Sequence, residues 1–197
     1  MNPSIQARRI EPATTHGVVG NPHREVVRRL VCRSGQALAE LAFVALMLIL
    51  LVFCLIDFCR AIYQSQIIVN LTREGSNLAS RGTGSTTDEV LSNAVSAIVS
   101  SAYPLNINTD GRIIISAVVY SNGLFVVTSQ QAQGSLPVIS RVHNGIGSGA
   151  VMPKTSPPLT NQPVYVTEVY YSFVPATPVG KLLYFALPST LYDVAYF

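Results

Sequence analysis

At 197 residues the chain is long enough for one domain with appended segments and does not call for two full cores. It is 49% apolar and only 12% charged, too hydrophobic for a disordered chain and suited to a membrane-attached one. The formal charge of +3 is unevenly spread: residues 1–35 carry Arg8, Arg9, Arg24, Arg28, Arg29 and Arg33 against Glu11 and Glu25, and the remainder is close to neutral. That basic block lacks interleaved aromatic residues and a recognition helix, and it runs straight into an apolar stretch, so it reads as a cytoplasmic topology signal and not as a nucleic-acid interface.

Leu41 to Ile56 reads LAFVALMLILLVFCLI, sixteen residues without a charge, proline or glycine. With Gln36–Ala39 before it and Phe58–Tyr63 after it, the stretch predicts a membrane-crossing helix over 36–57. A cleaved secretory signal is the competing reading. Asp57-Phe58-Cys59-Arg60 follows where such a peptide would need small residues, so the run is expected to stay attached. Arginines before the run and a near-neutral domain after it place the N-terminus in the cytoplasm and the C-terminus outside, which in a bacterium means the periplasm.

Within this region Glu40 is the unusual residue, because a carboxylate at a membrane edge asks for a partner. Asp57 and Arg60, three apart on one helix face, are expected at the outer membrane interface, where they can pair or simply anchor the helix. Cys32, Cys54 and Cys59 make no disulfide framework. Positions five apart on a helix point away from each other, so Cys54 and Cys59 are expected to be buried as small apolar side chains, with intermolecular pairing the minor alternative.

The stretch Arg33-Ser34-Gly35-Gln36-Ala37-Leu38-Ala39-Glu40-Leu41-Ala42-Phe43-Val44, the apolar run, and then Asp57-Phe58-Cys59-Arg60-Ala61-Ile62-Tyr63 together resemble the N-terminal signature of TadE-like proteins, pilin-like (type IVb) components of Tad, or Flp, pili. Val69-Asn70-Leu71-Thr72-Arg73-Glu74-Gly75-Ser76 is similar to the family's continuation. The resemblance implies cleavage by a prepilin peptidase between Gly35 and Gln36, retention of Glu40 as the fifth mature residue, and assembly through the N-terminal helix. Gln36 departs from the pattern, in which a small residue is usual. By this resemblance residues 1–35 are a prepilin-type leader, and the partners are the membrane, other pilin subunits and assembly proteins.

Past Asp57, residues 58–81 lack proline and carry apolar residues at helical spacing, which predicts that the helix continues outside the membrane. A single helix over 36–79 would be about 65 Å long. Gly82 and Gly84 end it. Residues 82–197 are expected to form an α+β head. Thr86-Thr87-Asp88-Glu89 fits a capping box, and Val90, Leu91, Ala94, Val95, Ile98 and Val99 form the apolar face of a second helix reaching about Ala102. Arg112–Tyr120 and Leu124–Ser129 predict two strands joined at Asn122-Gly123. Residues 130–163 read as loop, with a flexible part at about 142–163. Val164–Phe173 alternates as a third strand, Pro178–Leu187 predicts a short helix or turn, and Leu191–Phe197 an edge strand. The fold class is thus α+β: a long transmembrane helical stem carrying one amphipathic helix on an antiparallel sheet.

Little catalytic chemistry is legible. His16 and His23 fall in the leader and leave His143 alone, so neither a His-dependent triad nor a multi-histidine metal site can be assembled. Gly145-x-Gly147-x-x-Ala150 mimics a nucleotide fingerprint, but Pro153 follows and no helix receives a phosphate. Asn70-Leu71-Thr72 matches a glycosylation acceptor in mid-helix and is set aside. The expectation is a non-enzymatic component with no cofactor, no metal, no nucleic acid and no small-molecule substrate. A type II secretion pseudopilin or another single-pass accessory protein is the alternative.

Overall fold

The computed structural model describes residues 22–142, 145–147, 149–152, 162–182 and 186–197, with side chains from Gly35 onward. The chain divides into two units, Met1–Leu48 and Ile49–Phe197. Helix α1 (Pro22–Arg81) runs through both. It therefore begins well before Gln36, with a proline in its first turn where the missing N–H costs nothing. Gly35 and Gln36 consequently lie inside a helix and not at its start. His16 and residues 1–21 lie outside the described residues, as do the side chains of His23 and Cys32.

In the first unit, every side chain from Gly35 to Leu48 is exposed. In the second unit α1 changes character at Asp57. From there Asp57, Ala61, Ile68, Leu71, Thr72, Gly75, Ser76 and Ala79 are buried at helical spacing, giving one stripe that packs while the other faces stay open.

Helix α2 (Thr87–Ser101) buries Val90, Leu91, Ala94, Val95 and Ile98 on one face. Each of the Val, Leu and Ile side chains is worth roughly 1.5–3 kcal/mol as an upper bound, so packing and not propensity holds the helix. Thr86 caps it, its hydroxyl accepting the Glu89 N–H at 3.3 Å. The reciprocal arm of the expected capping box is displaced by one residue: the Glu89 carboxylate accepts from the Ser85 hydroxyl at 2.6 Å and the Ser85 N–H at 3.1 Å. Those donors hold the Glu89 carboxyl below its ordinary pKa.

A one-turn helix, α3 (Ile107–Asp110), which periodicity did not announce, leads into the sheet. The strands β1 (Gly111–Ser121), β2 (Leu124–Gln133), β3 (Pro163–Ser172) and β4 (Thr190–Tyr196) are all antiparallel in the order β2-β1-β3-β4. Asn122 (φ 52°) and Gly123 (φ 82°) make the tight turn that the Asn-Gly pair predicts. β2 runs four residues past the expected Ser129, and β4 is an edge strand as read from the sequence.

One face of the sheet, through Ile113, Ile115, Ala117, Val169 and Tyr171, forms the main core with α1 and α2. The first helix is stitched to β4 as well: Thr72 Oγ1 donates to Asp193 Oδ2 at 2.6 Å and Ser76 Oγ to the Ala195 carbonyl at 3.0 Å. The opposite face carries a second core of Val118, Val127, Val142 and Val166, flanked by Phe125, Ala150 and Met152. Residues 136–142 and 149–152 are therefore irregular, as expected of a loop, yet packed. Gly147 N–H bonds to the Val127 carbonyl and Ala150 N–H to that of Phe125, both at 2.8 Å, so the glycine-rich stretch lines the β2 edge. His143 and residues 153–161 lie outside the described residues.

Candidate functional site

The expected processing and assembly residues lie on the exposed part of α1. A Cβ added at Gly35 would meet nothing within 4 Å, so no packing requires glycine there. Gln36 and Glu40, one turn apart and both exposed, pair with each other: Gln36 Nε2 donates to Glu40 Oε1 at 3.0 Å. Within this chain, Glu40 thus has an intrahelical partner. From Leu38 onward the surface is apolar on every side, with Leu41, Phe43, Leu51 and Leu55 all about 60% exposed. A helix of this length and composition can cross a membrane, which is consistent with a single-pass membrane protein.

Asp57 closes the apolar run but does not point outward. It is fully buried, and its carboxylate reaches a segment 119 and 120 residues later in the chain: Oδ1 accepts from Ala176 N–H at 2.8 Å and Thr177 N–H at 3.2 Å, and Oδ2 accepts from the Thr177 hydroxyl. The Thr177 oxygen in turn accepts the Gly180 N–H at 3.2 Å, at the start of the short helix α4 (Pro178–Leu182). Three donors on one carboxylate offset the cost of burying it. A Cβ on Gly180 would collide with Asp57 Oδ2, so glycine is needed for the approach.

Arg60 is exposed and lies outside this set of hydrogen bonds. The hydrogen bonds of the Asp57 carboxylate thus go to the Ala176–Thr177 segment, while the Arg60 charge one turn along the helix acts on it electrostatically. Within this chain neither cysteine is buried as expected: Cys54 is half-buried, Cys59 is exposed, and both are free.

A second buried carboxylate was not anticipated at all. Glu168, 1% exposed in the middle of β3, accepts from the Ser140 hydroxyl, Arg141 N–H at 2.9 Å, Tyr170 hydroxyl at 2.9 Å and Tyr192 hydroxyl at 3.1 Å. It pins the segment around Ser140 to the outer sheet face. Arg141 also lies over the Tyr192 ring, 4.0 Å from its centroid. Burial, and then the adjacent Glu168 charge, push the Tyr170 and Tyr192 hydroxyls far above their ordinary pKa. A single charged residue within the otherwise uncharged VYVTEVYYS is the available signal.

Among the described residues, no group of three His, Cys, Asp or Glu side chains is placed to hold a metal ion. What α1 and the head bring together is an exposed apolar helix and a polar clasp at Asp57. No curated protein and no solved structure matches the chain. Residues 35–77 do match the model of a family described as TadE-like protein, over the stretch of α1 that begins at Gly35 and takes in Glu40, Asp57, Arg60 and Gly75. The stretch of helix that enters the head is thus similar to TadE-like proteins, which supports a Tad pilus-associated component.

Proposed function

We propose that this chain is a minor pilin or pilin-like assembly component of a Tad (Flp) pilus, held in a bacterial inner membrane by α1 with the N-terminus cytoplasmic and the head periplasmic. A prepilin peptidase cuts between Gly35 and Gln36. The observation that carries this reading is the TadE-like match, which starts at Gly35 and covers an exposed apolar helix. Glycine costs about 1 kcal/mol in a helix interior relative to alanine, so Gly35 is a weak point where the backbone can open to a protease. Cleavage frees the Gln36 α-amine, and Glu40 of a neighbouring subunit pairs with it at the membrane edge. Such a pair is worth on the order of 1–4 kcal/mol before desolvation, enough to bias register between stems. The role is non-catalytic, with pilin subunits, assembly proteins and the peptidase as partners.

Stem-to-stem crosslinking in the membrane tests the assembly step. Glu40→Gln should be processed and inserted yet crosslink poorly to other pilins, with Glu40→Asp intermediate. Undiminished crosslinking of processed Glu40→Gln would remove the pairing.

A further inference from the structure

The end of the head beside Asp57 carries apolar side chains that neither core uses. Val174 is 64% exposed and Leu182 80%, on the two flanks of the segment that Asp57 holds. Tyr103, 89% exposed, belongs to the loop at the same end, which leads through α3 to Gly111, the register partner of Tyr171, and Tyr171 lies within electrostatic reach of Arg60 and Asp110. On α1, Phe58 and Ile62 remain about half exposed beyond Asp57 and floor an apolar groove of about 300 Å³. Two exposed cations, Lys181 and Arg60, accompany these groups.

We infer that this end of the head is a membrane seat: Val174, Leu182 and Tyr103 enter the headgroup layer, and Lys181 and Arg60 meet lipid phosphates. The occupant follows from position. Asp57 is the first charged residue after sixteen apolar ones, so the hydrocarbon ends there, and the backbone of residues 176–177 is bonded directly to it. Anything one turn from Thr177 is within reach of the headgroup layer. Apolar side chains with an aromatic hydroxyl and cations are the composition which that layer selects. In this arrangement Asp57 is a positioning residue: it trades water for the Ala176 and Thr177 donors and so fixes the height of the head. The inference rests on α1 crossing the membrane.

The protein has no tryptophan, so single tryptophans report cleanly. Full-length Phe53→Trp, Leu182→Trp, Val174→Trp and Leu124→Trp proteins would be placed in phosphatidylcholine–phosphatidylglycerol vesicles whose acyl chains are brominated near the headgroup. Quenching of tryptophan emission at 53, 182 and 174, with none at Leu124 on the hairpin far from Asp57, is the expected result. Phe53→Trp quenched while Leu182→Trp and Val174→Trp are not overturns the seat and leaves the span intact, the outcome if another subunit covers this end. Absence of quenching at 53 overturns the span itself.

Discussion

A carboxylate at the end of an apolar helix can reach outward for water or recruit donors from elsewhere in the chain. Asp57 does the second. Replacing it with alanine leaves the Ala176 and Thr177 amides without their acceptor and should destabilise the head by about 1–3 kcal/mol. Faster hydrogen exchange at those two amides, with the β1–β3 ladder still protected, is the expected signature; unchanged exchange would show that the clasp contributes nothing. Asp57→Asn should lie between the two, because an amide keeps one acceptor oxygen.

Glu168 makes a different prediction through its tyrosines. The ordinary tyrosine value is 10.0, and burial raises Tyr170 and Tyr192 in the folded state. Below pH 10 both states hold these protons and the contribution is complete. Above it the unfolded chain loses them first, so stability should fall as pH rises from about 10. Thermal unfolding from pH 8 to 11 measures this, and Tyr192→Phe should flatten the alkaline fall while leaving the neutral plateau less affected than Glu168→Ala does.

Helices and strands depend on a few close approaches that can be tested alone. At Gly75, α1 comes so near α2 and β3 that an added Cβ would lie 2.5 Å from Ile98 Cδ1 and 2.7 Å from Thr167 Cγ2. Gly75→Ala should therefore cost about 1–3 kcal/mol in denaturant unfolding despite alanine's better helix propensity, whereas Gly35→Ala, in open space, should not destabilise the head. Equal effects at the two positions would refute the packing account. The irregular strap over the second core predicts that deleting 144–162 exposes Val118, Val127 and Val166 and raises binding of an apolar dye, with membrane insertion unchanged. Much of this architecture is legible locally: the Asn122-Gly123 turn, the face of α2 and the alternation of β3 follow from period and turn chemistry. The clasp and the strap do not, because their partners are remote. Asp57 meets Thr177 at a separation of 120 residues and Ser140 meets Glu168 at 28, and the segments that supply the donors have no periodicity to reveal which way they face. Only the misplaced charge of Glu168 and the Thr-Pro pair at 177–178 hint at either site. The second helix start is legible in part, since Thr86 caps as expected while Glu89 turns to Ser85.

For the molecule in its membrane, the two ends of α1 carry separate tasks. The exposed apolar part offers all its faces to lipid or to other stems, and the part beyond Asp57 commits one stripe to the head. On the proposed pilin-like reading, such a chain would exchange lipid for neighbouring helices along the stem while keeping its head packed, as a subunit that leaves a bilayer for a filament must. In the proposed orientation the six arginines of residues 1–35 would hold that segment on the cytoplasmic side, and so oppose that exit as long as it remains attached. Removal of this segment is therefore the step on which the account turns. Mass spectrometry of the chain recovered from cells with an active prepilin peptidase measures it most directly. Gln36 as the first residue, and accumulation of precursor for Gly35→Val, is the predicted result; recovery of only the full-length chain from such cells would contradict it.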